Sequence, residues 1–121
     1  MKKRIAKKTN DTTRVQFKLE RNPRTKGVSV FAFFPDERDR HDGENYTSYS
    51  HVGQHSPCAK SYADKCKWAG FSQYIGLYDE LVYQVGYRDL KVMNPDWEKM
   101  KAFAVRDYFG ERVNAIEGRV S

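Results

Sequence analysis

Two of the three histidines and both cysteines of this chain fall in one short stretch, His51 to Cys66. Their spacing, H-x3-H-x2-C-x7-C, offers zinc the imidazole and thiolate ligands it prefers, at separations close to those of structural zinc sites. A histidine beside a cysteine is also the arrangement in which an imidazole activates a thiol nucleophile. The stretch therefore suggests two kinds of chemistry, metal binding and cysteine-dependent catalysis.

The elements expected around this stretch limit both kinds of site. Ser56 and Pro57 are typical of a helix start, with Ser56 as N-cap and Pro57 as the first helical residue, and Gly53 ends the strand before it. If one helix runs from Pro57 to Cys66, the Cα atoms of the two cysteines are about 12 Å apart. That separation is too long for a disulfide or for joint ligation of one ion. The two cysteines are therefore predicted to be independent thiols.

A smaller set, His51, His55 and Cys58, still offers three metal ligands. On the same helix assignment Cys58 lies in the first turn, where the helix dipole favours thiolate, and either histidine offers a base. However, the sequence contains no obvious oxyanion-hole motif, and structural roles for such residues are more common. We therefore predict no catalytic residue, no metal and no cofactor, with Ser56 capping the helix and His51 and His55 holding the turn by hydrogen bonds.

Positive charge is concentrated at the start of the chain. The net charge is +6, but the first 26 residues carry ten basic and only two acidic side chains, and the remainder is close to neutral. Such a concentration suits phosphate or an acidic protein surface, although a solvated tail explains it as well. The sequence predicts a nucleic-acid-binding arm and hairpin formed by Lys2, Lys3, Arg4, Lys7, Lys8, Arg14, Lys18, Arg21, Arg24 and Lys26.

Apolar periodicity predicts the elements that carry these residues. Val15, Phe17 and Leu19 alternate with polar residues, as in a half-buried strand. Turn residues follow over 21–27, and the next run, Val28 to Phe34, is apolar on both faces, as in a central strand or one that meets a partner. The later predictions are a charged loop over 35–45, a strand over 46–52, helices over 57–66 and 72–85, a strand over 88–93 and a helix from Asn94–Pro95 to Gly110.

The predicted order is β-β-β-α-α-β-α. It indicates an α+β fold, with an antiparallel or mixed sheet of about four strands and helices packed on one face. We expect a flexible basic arm over 1–13, a single domain over 14–110 and a C-terminal tail over 111–121. Since no run of about 18 apolar residues and no signal-peptide pattern occurs, a cytoplasmic protein without a membrane partner is expected.

Aromatic residues give a second way to contact a partner. Phe31, Phe33, Tyr46 and Tyr49 can lie on a sheet face, where aromatic rings beside cations suit single-stranded nucleic acid. Packing under the helices is the more common outcome for such residues. A different class of function, a protein-interaction module such as a homodimer or a host-factor inhibitor, would use the strand Val28 to Phe34 or the same aromatic surface.

Two segments carry a resemblance. YSHVGQHSPC, followed by a tyrosine-containing helix and LYDELVYQVGYRDLKVM, is similar to a pattern in short uncharacterised proteins of phages and other bacterial mobile elements. The similarity covers residues 46–93. It implies a phage-like or mobile-element origin, a setting in which small proteins often bind nucleic acid or a host protein.

Overall fold

The first two strands follow from the alternating and the continuous apolar runs of the sequence. In the computed structural model, which describes residues 12–39, 43–50 and 54–105, β1 spans Thr13–Arg21 and β2 spans Val28–Arg38. The two strands pair antiparallel, and the turn residues between them close the predicted hairpin. The expected charged loop begins later than predicted, because β2 runs on to Arg38.

Three further strands complete the sheet. β3 spans Tyr46–Ser50, β4 spans Gln54–Cys58 and β5 spans Leu90–Val92. β3 pairs antiparallel with β2 and β4 antiparallel with β3, whereas β5 lies parallel to β1, giving the order β4-β3-β2-β1-β5. The α+β class and the mixed sheet are confirmed, and the sheet has five strands where about four were expected.

The additional strand, β4, occupies the start of the predicted helix. Ser56 and Pro57 pair with β3, and the first helix, α1, spans only Lys60–Lys65. Its N-cap is Ala59, which makes no side-chain cap. The helix start at Ser56–Pro57 and the cap by Ser56 are therefore wrong. Proline fits here because β4 lies at the sheet edge, where a missing N–H leaves no neighbouring strand unpaired.

The central strand β2 buries apolar side chains on both sides, as its composition predicts. Ala32 and Phe34 lie on what we call the first face, in a core with Phe17 and Tyr49. Phe31 and Phe33 lie on the opposite, second face. The apolar character of both faces of β2 therefore reflects two cores within one domain.

The long helix covers the first face. α2 spans Phe71–Asp79 and continues as a π-helix over Glu80–Val85, which ends at Gly86 with a φ of 101°. These bounds agree with the helix predicted from the apolar stripe over 72–85. Its fully buried side chains are Tyr74, Leu77 and Leu81.

The short helix α1 packs on the second face through Ala63, which is fully buried against Phe31 and Phe33. This face is therefore only partly covered, while the first face carries the longer helix. α2 and its π-helical extension thus pack on one face of the sheet, as expected, and α1 adds a small layer on the other face.

The last helix, α3, spans Trp97–Met100 and continues as a 3-10 helix over Lys101–Ala104. The predicted extension to Gly110, the C-terminal tail, and the arm up to residue 11 lie outside the described residues. Among the described residues no helix is long and apolar enough to cross a membrane.

Candidate functional site

The side chains of His55 and Cys58, which are close in the sequence, project to opposite faces of the sheet. On β4, His55 lies opposite Tyr49, on the first face, and Cys58 lies opposite Tyr46, on the second. Side chains three residues apart on a strand project to opposite faces. The alternatives in which His55 and Cys58 ligate one ion or form a catalytic pair are therefore wrong. His51 lies outside the described residues, and within those residues no three His, Cys, Asp or Glu side chains are grouped as metal ligands.

Cys58 has the opposite electrostatic environment to the one predicted. It lies at the end of a strand, not at a helix N-terminus, and burial raises the pKa of its thiol to about 11. The thiol donates to the Ala59 carbonyl at 3.5 Å. At neutral pH the group is therefore protonated and a poor nucleophile. Cys58 and Cys66 are both free thiols that pack against the second-face core.

His55 contacts a cluster of aromatic rings on the first face. Its Nε2 lies 3.1 Å from the Tyr87 hydroxyl, and its ring centroid lies 4.9 Å from that of Tyr49. Tyr87 also stacks on Phe34, with centroids 5.2 Å apart. The Tyr49 hydroxyl, buried, donates to Glu80 in the π-helix. His55 thus connects β4 to the segment after the π-helix, far along the chain from the turn that it was expected to hold.

Two of the predicted nucleic-acid contacts are occupied within the domain. Lys18 is only 4 % exposed, and its Nζ lies 3.9 Å from the centroid of the Trp68 ring and 3.3 Å from the Cys66 carbonyl. Burial lowers the pKa of this ammonium group. Arg14 donates to both carboxylate oxygens of Asp36, at 2.7 and 2.5 Å. Lys18 is therefore not available to a phosphate, and the charge of Arg14 is already balanced.

The hairpin tip presents the other three described cations of the predicted set. Arg21, Arg24 and Lys26 are exposed, and no ion pair involves them within the described part of the chain. The Asn22 side chain shapes the loop by accepting the backbone N–H groups of Arg24 and Thr25, at 2.8 and 3.2 Å. Lys26 has a φ of 64°, the left-handed conformation that closes the turn. The loop is thus held in one shape with its cations facing solvent.

A second basic segment runs beside the hairpin. The Leu19 N–H donates to the Lys67 carbonyl at 2.8 Å, and Trp68 forms a β-bridge with Lys18. Leu19 is two residues from Arg21, about 7 Å along the strand. The side chains of Lys65 and Lys67 are exposed and the Trp68 ring is 40 % exposed. We call the resulting surface the basic strip, formed by Arg21, Arg24, Lys26, Lys65, Lys67 and Trp68.

The N-terminal arm joins the domain at the other end of β1. The Thr12 hydroxyl donates to Asp89 at 2.8 Å, next to β5. A nine-residue strand separates its ends by about 27 Å. The arm residues predicted to bind nucleic acid lie outside the described residues: Lys2, Lys3, Arg4, Lys7 and Lys8. Arm and hairpin tip are therefore attached at opposite ends of one strand.

The aromatic surface expected on the sheet is mostly buried. Phe31, Phe33 and Tyr49 are 4 % exposed or less, and Tyr49 lies on the opposite face from the two phenylalanines. The half-buried Tyr46 ring is covered by the Arg38 guanidinium, 4.5 Å from its centroid. These rings stabilise the cores and leave no stacking platform, and β2 leaves no apolar contact surface between residues 31 and 34.

A pocket of about 270 Å³ opens on the second face where α1 leaves the sheet uncovered. Two of its lining residues are joined, since the Tyr62 hydroxyl, from α1, donates to Glu20 Oε1 at 2.8 Å. The hydrogen bond to this carboxylate raises the pKa of the Tyr62 phenol, and burial raises it further. The residues that give the pocket its chemistry are Glu20, Phe31, Ser48, Ser50, Ser56 and Tyr62.

Sequence reasoning missed this pocket. The sequence pattern predicts Ser48 and Ser50 only as strand residues and Ser56 as a helix cap. A signal was present, since Ser48 and Ser50 alternate with Tyr49, so that both serine hydroxyls lie on the face of β3 opposite to the Tyr49 ring. Without β4, however, nothing placed Ser56 beside them.

No known protein family, curated protein or solved structure matches this chain. The basic strip and the adjacent pocket are therefore the features on which a functional conclusion depends.

Proposed function

We propose that the protein binds single-stranded nucleic acid through the basic strip. The observation that carries the proposal is that five exposed cations without an ion pair in the described structure lie on the hairpin tip and on the segment that leads to Trp68, whose ring is 40 % exposed. Lysine and arginine neutralise backbone phosphates, and an exposed aromatic ring stacks on bases of any sequence. Phosphate contacts and stacking together are the usual basis of affinity for single strands.

The local structure supports this use of Trp68. Lys18 Nζ lies 3.9 Å from the centroid of the Trp68 ring, and the backbone of Trp68 forms a β-bridge with β1. The indole is therefore held in place before any ligand binds. A side chain already fixed loses less conformational entropy on binding. The ring face turned away from Lys18 is then the natural stacking surface for a base.

The proposal predicts a steep dependence of affinity on salt. If five phosphates are neutralised, the affinity for a single strand falls on the order of 100-fold between 50 and 200 mM salt. Fluorescence anisotropy with labelled mixed-sequence DNA and RNA 12-mers measures this slope. Absence of binding at 50 mM salt to both polymers would contradict the proposal.

A triple variant tests whether the strip is the contact surface. Arg21→Gln, Arg24→Gln and Lys26→Asn together remove three cations, and asparagine tolerates the left-handed conformation of residue 26. The salt slope is expected to fall by about 2 and the affinity at 50 mM salt by more than tenfold.

The matched control removes three cations outside the strip, with Arg88→Gln and Lys91→Gln near the start of β1 and Lys99→Gln on α3. All three residues are exposed, and Lys91 pairs with Arg14 at the start of β1. Affinity is expected to change less than threefold. Equal losses in the two triple variants would show that binding follows net charge alone, and the strip would not be the site.

A further inference from the structure

The pocket on the second face adjoins the end of β1 that carries the basic strip: Glu20 lines the pocket, and the next residue, Arg21, projects to the opposite side of the strand. Its floor is Phe31 on β2, flanked by Ser50 on β3 and by Lys18 on β1. The strands that carry Glu20 and Ser50 lie on either side of β2, about 10 Å apart. Its volume, about 270 Å³, is below the range of drug-sized ligand sites, so it suits a small planar group.

One wall of the pocket is aromatic. Tyr62 lies nearly parallel to Phe31, with ring centroids 6.1 Å apart and an interplanar angle of 24°. Tyr62 is 43 % exposed while Phe31 is 4 % exposed, so the accessible aromatic surface belongs to Tyr62. Its hydrogen bond to Glu20 fixes the ring orientation. A flat heterocycle entering from the strip therefore meets a ring already in position to stack on it.

The polar groups of the pocket are arranged in two sets. Glu20 accepts from Tyr62 through Oε1, and within the described structure its Oε2 makes no hydrogen bond. On the opposite side, the Ser50 hydroxyl makes no hydrogen bond to the described residues. The Ser48 hydroxyl donates to the Ser56 carbonyl at 2.9 Å, and Ser56 Oγ lies 3.5 Å from Ser48 Oγ, so Ser50 and Ser56 are the available donors. A carboxylate accepts two hydrogen bonds side by side, and hydroxyls both donate and accept. The pocket thus offers paired acceptors at one end and donors at the other.

From this arrangement we infer that the pocket binds one nucleobase of the single strand and selects guanine, an inference that rests on the proposed function. Guanine is the base whose Watson–Crick edge presents two adjacent N–H donors, which match the two oxygens of Glu20. Its N7 acceptor lies across the ring system from these donors, where the serine hydroxyls donate. Cytosine, adenine and thymine each present at most one donor group with acceptors beside it, and those acceptors repel a carboxylate.

The charge pattern separates the two parts of the ligand. A carboxylate in the pocket repels phosphate, whereas the strip beside it attracts phosphate. The backbone of a bound strand therefore lies along the strip at the end of β1, and the base turns past Glu20 into the pocket on the second face. This division is the usual one, in which phosphate contacts position the ligand and base contacts specify the sequence.

The test compares five 12-mers of deoxythymidine, one unsubstituted and the others carrying a single central guanine, hypoxanthine, adenine or cytosine. Hypoxanthine is guanine without its 2-amino group. By anisotropy, the guanine 12-mer is expected to bind about tenfold more tightly than the adenine and cytosine ones, a typical discrimination for one bidentate contact. The hypoxanthine 12-mer should fall between them. The same set in a uridine 12-mer shows whether RNA behaves alike.

Glu20→Gln is the diagnostic variant. The glutamine oxygen still accepts from Tyr62, so the wall is retained, but the paired acceptors are lost. In this variant the preference for guanine should drop below twofold, while the unsubstituted 12-mer binds as before or slightly more tightly. Glu98→Gln is the control: it removes a carboxylate on α3 and should leave the preference for guanine intact. A wild-type protein that binds all five oligomers equally would overturn the inference and leave the proposed function standing. Failure to bind any of them would overturn both.

Discussion

At the scale of single residues, the carboxamide of Asn94 replaces a strand partner. Its side chain is 3 % exposed, its Oδ1 accepts the Phe17 N–H at 2.8 Å, and its Nδ2 donates to the carbonyls of Phe17 and Ala69, at 2.8 and 2.9 Å. One amide thus satisfies three buried backbone groups beyond the last pair of β1 with β5. In the sequence, Asn94 indicates only a helix start, because a local pattern does not show which distant backbone its side chain meets.

Asn94→Ala should be among the most destabilising single substitutions in the domain. It leaves the Phe17 N–H and the Ala69 carbonyl without this partner, whereas the Phe17 carbonyl keeps its hydrogen bond from the Ala69 N–H at 2.9 Å. Each unsatisfied group costs about 1–3 kcal/mol, so a loss of at least about 2 kcal/mol is expected. Urea unfolding followed by circular dichroism measures it.

Asn22→Ala is the matched control for that substitution. It removes two hydrogen bonds in the exposed hairpin loop, where water replaces them, and should cost less than about 1 kcal/mol. Similar losses for the two variants would show that Asn94 does not have the role described.

The candidate site was harder to predict than the core at this scale. Residue type and spacing drew attention to His55 and Cys58, yet the two lie on opposite faces of β4. For Lys18, charge alone gave no sign that an indole ring and a backbone carbonyl would bury the ammonium group. Which face a side chain occupies, and what covers that face, are tertiary properties that charge and spacing do not contain.

At the scale of elements, long periodic segments were predicted well and short ones less well. The apolar stripe over 72–85 is long enough to indicate a helix and not a strand, and the apolar–polar alternation in β1 is long enough to indicate a strand. Ser56–Pro57, in contrast, carries a strong local helix-start signal, but backbone pairing with β3 determines the structure. The pairing partner is another strand, β3, so the residues around Ser56 alone do not indicate it.

Two glycines in the helical segment allow a test of these boundaries with one kind of substitution. Gly76 lies inside α2, and an added Cβ would meet no atom within 4 Å. Gly76→Ala should therefore stabilise the protein by about 0.5–1 kcal/mol, because alanine loses less backbone entropy in a helix.

Gly86→Ala should have the opposite sign. The residue ends the π-helix with a φ of 101°, a conformation that costs a residue with a Cβ about 1–2 kcal/mol. Thermal unfolding of both variants measures the difference. If both substitutions stabilised or both destabilised the protein, the helix would end elsewhere than at residue 86.

At the scale of the whole molecule, composition and element order predicted the α+β class and a central two-faced strand. They did not predict how charge is arranged in space. The five described cations of the N-terminal group divide between a hairpin tip, a buried lysine and an ion pair, and Lys65 and Lys67 join the tip from another part of the chain. A function that depends on a surface is therefore less accessible from sequence than the core beneath it.

Three buried or hydrogen-bonded acids make the whole domain sensitive to alkaline pH. Burial raises the pKa of the Cys58 thiol from 9.0 to about 11. The pKa of Tyr74 rises above its ordinary value of 10.0 through burial and its hydrogen bond to Asp96, and that of Tyr62 rises through its bond to Glu20. Each group binds its proton more tightly in the folded state than in the unfolded chain.

The free energy of unfolding is therefore expected to be constant with respect to these groups below pH 8 and to fall as the pH rises. Between about pH 9 and 11 the unfolded chain loses the Cys58 proton while the folded protein keeps it, and above pH 10 the two tyrosines act in the same direction. Urea unfolding midpoints, followed by circular dichroism at pH 7, 8, 9, 10 and 10.5, measure the decline.

Cys58→Ala should lower the midpoint at pH 7, since the thiol packs on the second-face core, but should make the decline between pH 9 and 10 shallower. Tyr74→Phe should act the same way above pH 10. A wild-type midpoint that stays level from pH 8 to 10.5, or a Cys58→Ala variant with an unchanged slope, would show that the thiol is not held in the protonated form by the fold.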